Sequence, residues 1–190
     1  MTFEKLNKKL GGNEKRTDWR HHSNGLGWLH ESAKVDLTAW IGPNAIVWGT
    51  VSGNARVYGD AQVYGNAQVS SNAQVYGNAQ VYGDAWISGN AQIYGNAWIS
   101  GNAWVRGNAR VSGDARVYGD VWVKSPLFVV GSRNSLCNAK HGYLRIGCKC
   151  EKFKWWLGKE ALALAKASKY TPAEIKEYQA YVKLFIAIGK

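Results

Sequence analysis

Cys137, His141, Cys148 and Cys150 follow one another in a C-x3-H-x6-C-x-C spacing. Thiolate and imidazole are the ordinary ligands of zinc, and four such groups on one hairpin could surround a metal ion. The spacing is unlike that of the common zinc modules, and Cys148 and Cys150 would share one face of an extended strand. Small buried thiols in a compact domain are the preferred reading, so no metal and no cofactor is expected. The odd cysteine count and the absence of an N-terminal apolar run argue for reduced thiols in a cytoplasmic chain without a membrane segment. Histidine is the side chain best suited to general base work near neutral pH. The chain has four, His21, His22, His30 and His141, and none lies within residues 35–124.

The third chemical resource is aromatic and cationic. Trp86, Trp98, Trp104 and Trp122 stand among Arg106, Arg110, Arg116 and Lys124. Rings beside cations can stack bases and neutralise phosphate, or form the anchors of a protein interface. These eight residues are the candidate binding residues, and what they can do depends on the elements that carry them.

Those elements are written as a hexad, V-Y-G-N-A-Q. Val51, Val57, Val63, Val69, Val75, Val81, Ile87, Ile93, Ile99, Val105, Val111, Val117 and Val123 recur every six residues. Leu29, Val35, Ile41 and Val47 keep the same step upstream, then four residues lead to Val51. Alternation within A-Q-V-Y predicts a short strand with one face buried, and Gly-Asn or Gly-Asp turns the corner. Outward positions repeat at 18: Ser52, Ser70 and Ser88, then Arg106 and Lys124; Tyr58, Tyr76 and Tyr94; Tyr64, Tyr82 and Tyr118, interrupted by Ser100; Trp86, Trp104 and Trp122. Three hexads per coil explain that sorting, because stacked neighbours then lie across adjacent strands. About six coils at ~4.8 Å spacing give a prism roughly 27 Å long.

On the aliphatic residue and the small residue four later, as in Val57…Ala61 or Ile87…Ala91, residues 29–124 resemble the left-handed β-helix hexapeptide-repeat proteins. The resemblance implies a left-handed, three-sided parallel β-helix, and three prisms around a threefold axis. Many such proteins are trimeric acyltransferases with a histidine on a coil; here His30 sits at the first coil and residues 35–124 have none. The entry segment NGLGWLHESAKV and the tail GSRNSLCNAKHGYLRIGC resemble hexapeptide-repeat proteins encoded by phages and prophages. That similarity implies a phage accessory protein acting in the host cytoplasm.

After Ser125-Pro126 the hexad stops. LFVVGS and the hairpin SLCNA/YLRIGC predict three strands capping the solenoid, as its last coil would otherwise expose unpaired backbone groups. EKFKWWLGKEALALAKASKY predicts one helix with Phe153, Leu157, Ala161 and Leu164 on a face. Thr171-Pro172-Ala173-Glu174 is a capping-box start for a second, burying Ile175, Tyr178, Val182 and Phe185. The expected organisation is a basic N-terminal segment and entry (1–28), the β-helix (29–124) and a C-terminal cap with a hairpin and two helices (125–190). Of the net charge of +11, the repeat carries none and residues 125–190 carry +8. Lys152, Lys154, Lys159, Lys166, Lys169, Lys176, Lys183 and Lys190 spread along the helices as a solvated face, and no DNA-reading motif accompanies them.

The expected function is a non-enzymatic, phage-type binding protein, a homotrimer, engaging a host protein or a nucleotide or nucleic-acid ligand through its Trp/Arg surface and basic tail, counter-defence included. A hexapeptide-repeat acyltransferase and a structural virion component are the alternatives. Cover of the Trp file by protein is favoured over a free ligand surface.

Overall fold

The computed structural model describes residues 1–122 and 124–188. Val123, the last aliphatic residue of the predicted run, and Lys190 of the basic tail lie outside the described residues.

The hexads form a three-sided parallel β-solenoid. Each aliphatic residue pairs with the one 18 residues on: Val63 with Val81, Val81 with Ile99 and Ile99 with Val117 on the first side. Val57, Val75, Ile93 and Val111 do the same on the second, and Val51, Val69, Ile87 and Val105 on the third. The four-residue step after Val47 shortens one coil, so Val35 pairs with Val51, Ile41 with Val57 and Val47 with Val63. The interior is almost wholly aliphatic and alanine, dry from Leu29 to Val117.

Two features of the hexad set the stacking. At a corner, Gly77 has φ of +72°, and a Cβ placed on it would sit 3.0 Å from the backbone nitrogen of Gly95 in the next coil. Only glycine meets both conditions without strain. The following Asn forms a ladder: Asn78 Nδ2 donates to Asn96 Oδ1 at 3.0 Å, and Asn96 Nδ2 to Asp114 Oδ1 at 3.0 Å. On the flats, Tyr58, Tyr76 and Tyr94 stack with centroids 4.8 and 5.0 Å apart and rings within 5° of parallel.

Both ends are covered. Helix α1 (Phe3–Lys9) begins at Thr2 and lays Leu6 against Trp28 and Ile46, burying outward positions of the first coils. Strand Trp19–His21 pairs antiparallel with Trp28–His30 and closes that edge. At the other end, Ser135–Lys140 lies across the last coil, with Cys137 part of the solenoid's own core. It belongs to a four-stranded antiparallel sheet with Phe128–Val130, Tyr143–Ile146 and Lys149–Lys152.

The tail departs from expectation in two places. Lys149–Lys152 is a fourth strand that the sequence reading missed and partly assigned to a helix. The predicted single helix is two, α2 (Phe153–Trp156) and α3 (Lys159–Ala167), because Gly158 adopts an extended conformation between them. Helix α4 (Pro172–Ile188) opens as predicted: Thr171 N–H donates to Glu174 Oε2 at 2.7 Å and Glu174 N–H to Thr171 Oγ1 at 3.2 Å. It buries Tyr178, Val182 and Phe185 on Leu136, Leu144 and Ile146, while Ile175 is only half-buried.

Candidate functional site

The candidate residues divide among the three sides. Trp86 and Trp104 are register partners on one side, stacked at 4.8 Å and 3°. Trp98 and Arg116 are partners on another, and Arg110 lies on the third, in register with Gln92. Trp122 does not continue the Trp file. Val121 pairs with Trp104, and Trp122 aligns with Val105, where it is only 4% exposed. The cause is a corner one residue short: Asp120 takes φ of +62° and supplies the carbonyl for Trp104 N–H that an alanine supplies elsewhere. A one-residue slip exchanges inside and outside. Trp122 thus becomes the large terminal plug of the solenoid core, its Nε1 donating to Gly119 O at 3.2 Å.

Two of the indoles are held by side-chain hydrogen bonds, and each of the three rings has a neighbour on at least one face or edge. Trp86 Nε1 donates to Ser70 Oγ at 3.2 Å and Trp104 Nε1 to Ser88 Oγ at 3.3 Å. One face of Trp104 meets Trp86, and the Arg106 guanidinium lies 4.6 Å from the Trp104 centroid. Arg116 sits 4.8 Å from Trp98, and Tyr82 meets Trp98 edge-on. Stacking a nucleobase needs a free ring face. What these tryptophans offer is ring edges on two sides of the prism, with Trp86 41% and Trp98 36% exposed. A rigid apolar ridge studded with Arg is the composition of a protein interface.

The four histidines sit at the two ends of the prism. His21 Nδ1 lies 2.8 Å from Leu26 O, His30 Nδ1 2.8 Å from Ser32 Oγ, and His22 is buried. His141 packs edge-on against Trp122 at 4.8 Å, and its backbone N–H donates to Asp120 Oδ2 at 2.6 Å. The zinc spacing is dispersed as well. Cys137 is buried with its Sγ 3.7 Å from Arg116 O, Cys148 is exposed, and Cys150 Sγ lies 2.8 Å from the Tyr118 hydroxyl. Among the described residues there is no group of three or more His, Cys, Asp or Glu placed to hold a metal ion.

The Tyr118–Cys150 contact ties the last coil to the cap. Burial, then the hydrogen bond to Cys150, push the Tyr118 hydroxyl up to about 12. A phenol raised in the folded state stabilises it fully below the unfolded value and loses that stabilisation as pH climbs through 12. Cys150→Ala should bring Tyr118 ionisation part of the way back toward 10, read by ultraviolet absorbance during alkaline titration; an unmoved midpoint would deny the thiol any part in it.

Sequence reasoning missed two hollows that only the packed cap creates. One, of about 320 Å³, lies beside α3, which lines it with Ala161 and Ala165, against Ile146, Tyr178 and Val182. The other, of about 720 Å³, lies where the cap meets the last coil and gathers Arg110, Trp122, Lys124 and His141. The only advance signal was that Lys124 and Ser125 follow the last coil directly.

Comparison with known families matches the repeat alone. Residues 51–65, 61–77, 73–89, 91–107 and 109–125 match the YdcK beta solenoid repeat. No curated protein and no solved structure matches the chain. Among the described residues, no helix is long and apolar enough to cross a membrane.

Proposed function

We propose that this protein is a non-enzymatic binding scaffold: a rigid prism that assembles as a homotrimer through its Trp86/Trp104 side and presents its Trp98/Arg116 side and basic end to a partner protein of the host. The observation that carries this reading is the state of the indoles. The Trp86 and Trp104 N–H groups are satisfied and the two rings stack on each other, so that side is pre-ordered and loses little side-chain freedom on being buried. Conformational ordering is a main cost of association, and a ridge held by backbone ladders avoids it. The resemblance of the entry segment and tail to phage-encoded proteins supports a host factor as the partner, counter-defence among the roles.

Native mass spectrometry of the purified chain tests the assembly, with a trimer expected. Trp104→Ala should weaken it by about 2 kcal/mol or more, as for a central interface tryptophan. Tyr76→Ala, on another side, should leave it intact. A monomer at micromolar concentration, or equal effects of the two substitutions, would sink the assignment of that side.

A further inference from the structure

The 720 Å³ cleft between the last coil and the cap is chemically unlike the rest of the solenoid surface. Arg110, an exposed residue of the last strand on its side, and Lys124, just beyond the coil, both line it. The Arg110 backbone is tied to the residue after Lys124, since Arg110 N–H donates to Ser125 Oγ at 2.8 Å. Neither cation forms an ion pair among the described residues. No Asp or Glu lines the cleft. The carboxylate in contact with one of its residues, Asp120, already accepts the backbone N–H of His141. The walls supply the half-buried ring of Phe128 and the exposed imidazole of His141.

Asn138 is the second, independent sign. It lines the same cleft and is 1% exposed. Its Oδ1 accepts Leu127 N–H at 2.9 Å, whereas its Nδ2 is buried with no hydrogen-bond partner. A buried donor without an acceptor is costly, and native structures keep few of them. Two unpaired cations above a buried, unused amide donor ask for an anion carrying a further acceptor group. The volume lies within the range of small-molecule sites, roughly 300–1,000 Å³.

We propose that this cleft binds a small phosphate-bearing organic molecule of nucleoside-phosphate size. Arg110 and Lys124 hold the phosphate, and the remainder lies against Phe128 and His141 within reach of Asn138. The cleft reaches Val121 and Trp122, whose strand pairs with that of Trp104, but neither Trp86 nor Trp104 lines it, so binding here and assembly through the indole pair are separable.

The test is isothermal titration calorimetry on the full chain at low salt, with ADP and pyrophosphate as probes. Both should bind and displace one another, with ADP the tighter. Arg110→Gln and Lys124→Gln should each weaken ADP by about tenfold, the loss of one charge-assisted contact. The double variant Lys159→Gln/Lys166→Gln, on α3, should change it less than about twofold. ADP binding retained by Trp104→Ala would separate this site from the assembly. Absence of binding by both probes at millimolar concentration overturns the proposal. So does an equal loss in the α3 variant, which would mean diffuse attraction to the basic end. Pyrophosphate binding as tightly as ADP would overturn the organic part of the ligand.

Discussion

Val81→Asp should abolish folding of the solenoid, giving insoluble protein or a soluble chain without the circular dichroism of β-structure. Val81 is fully buried at the middle of its side, paired with Val63 below and Ile99 above. Everything it meets inside the prism belongs to a cluster of aliphatic and alanine side chains, with no donor to receive a carboxylate. An unpaired buried ion costs several kcal/mol even after relaxation. That is comparable with the whole stability of a typical domain, about 5–15 kcal/mol. Position adds to the effect. Each coil of a solenoid is held only by its neighbours, so a lesion at mid-length separates the two halves. Gln92→Glu, on an outward position, should stay within about 0.5 kcal/mol of the parent. A soluble, unchanged Val81→Asp protein would mean that inside and outside are reversed.

Tyr178→Phe should be the most damaging single-atom change in the cap. The Tyr178 hydroxyl accepts the N–H groups of Arg133, at 2.9 Å, and Asn134, at 2.5 Å, and donates to Asn134 O at 2.9 Å. The loop folds down so closely that a Cβ on Gly131 would lie 2.7 Å from that oxygen. One oxygen therefore closes the connection between Phe128–Val130 and Ser135–Lys140, and so holds the strand that covers the last coil. Removing it strands two donors in a part-buried site, while Asn134 O keeps the Gly131 N–H at 3.1 Å. At about 1–3 kcal/mol for each unsatisfied group, less whatever water recovers, a loss of about 2–4 kcal/mol is expected. Urea unfolding followed by tryptophan fluorescence measures it. A change below about 0.5 kcal/mol would show that the loop holds itself without Tyr178.

The fold of the repeat was legible because each of its rules is local and repeated. Hexads report strand and corner, the 18-residue sorting of Tyr and Ser reports three sides, and the four-residue step after Val47 marks a short coil. What failed were events that happen once. The shortened corner at Asp120 moves Trp122 from surface to core, yet the six-residue step runs on, and the trace left in the letters is Val121 where each hexad from Ala55 to Ala115 has alanine. Lys149–Lys152 is a strand only because Tyr143–Ile146 is there to pair with it. Helix α1 lacks a long apolar stripe and is held by docking Leu6 onto Trp28, a contact between distant positions in sequence. The candidate residues were legible as types and as files. Their orientation was not: the sequence places Arg106 beside Trp104 but cannot say that the guanidinium lies over the ring. Nor can it say that Lys124 and Arg110 line one cleft, with Ser125 Oγ accepting the Arg110 N–H.

The sameness of the coils has a consequence for how the chain finds its structure. Asn78 would fit Asn96 or Asp114 alike, and Tyr58 would stack on Tyr94 as well as on Tyr76. A nascent prism can therefore mispair by one whole turn and lose almost no contacts. Such a trapped conformer differs from the native one only where the pattern is irregular: the short coil after Val47, Ser71 in a glycine's place with φ of +62°, the indole pair and the abbreviated corner at Asp120. These irregularities act as index marks, giving an otherwise degenerate ladder a single correct alignment. The same degeneracy lets the gene gain or lose one coil at a time, lengthening or shortening the prism while both caps and every face keep their order.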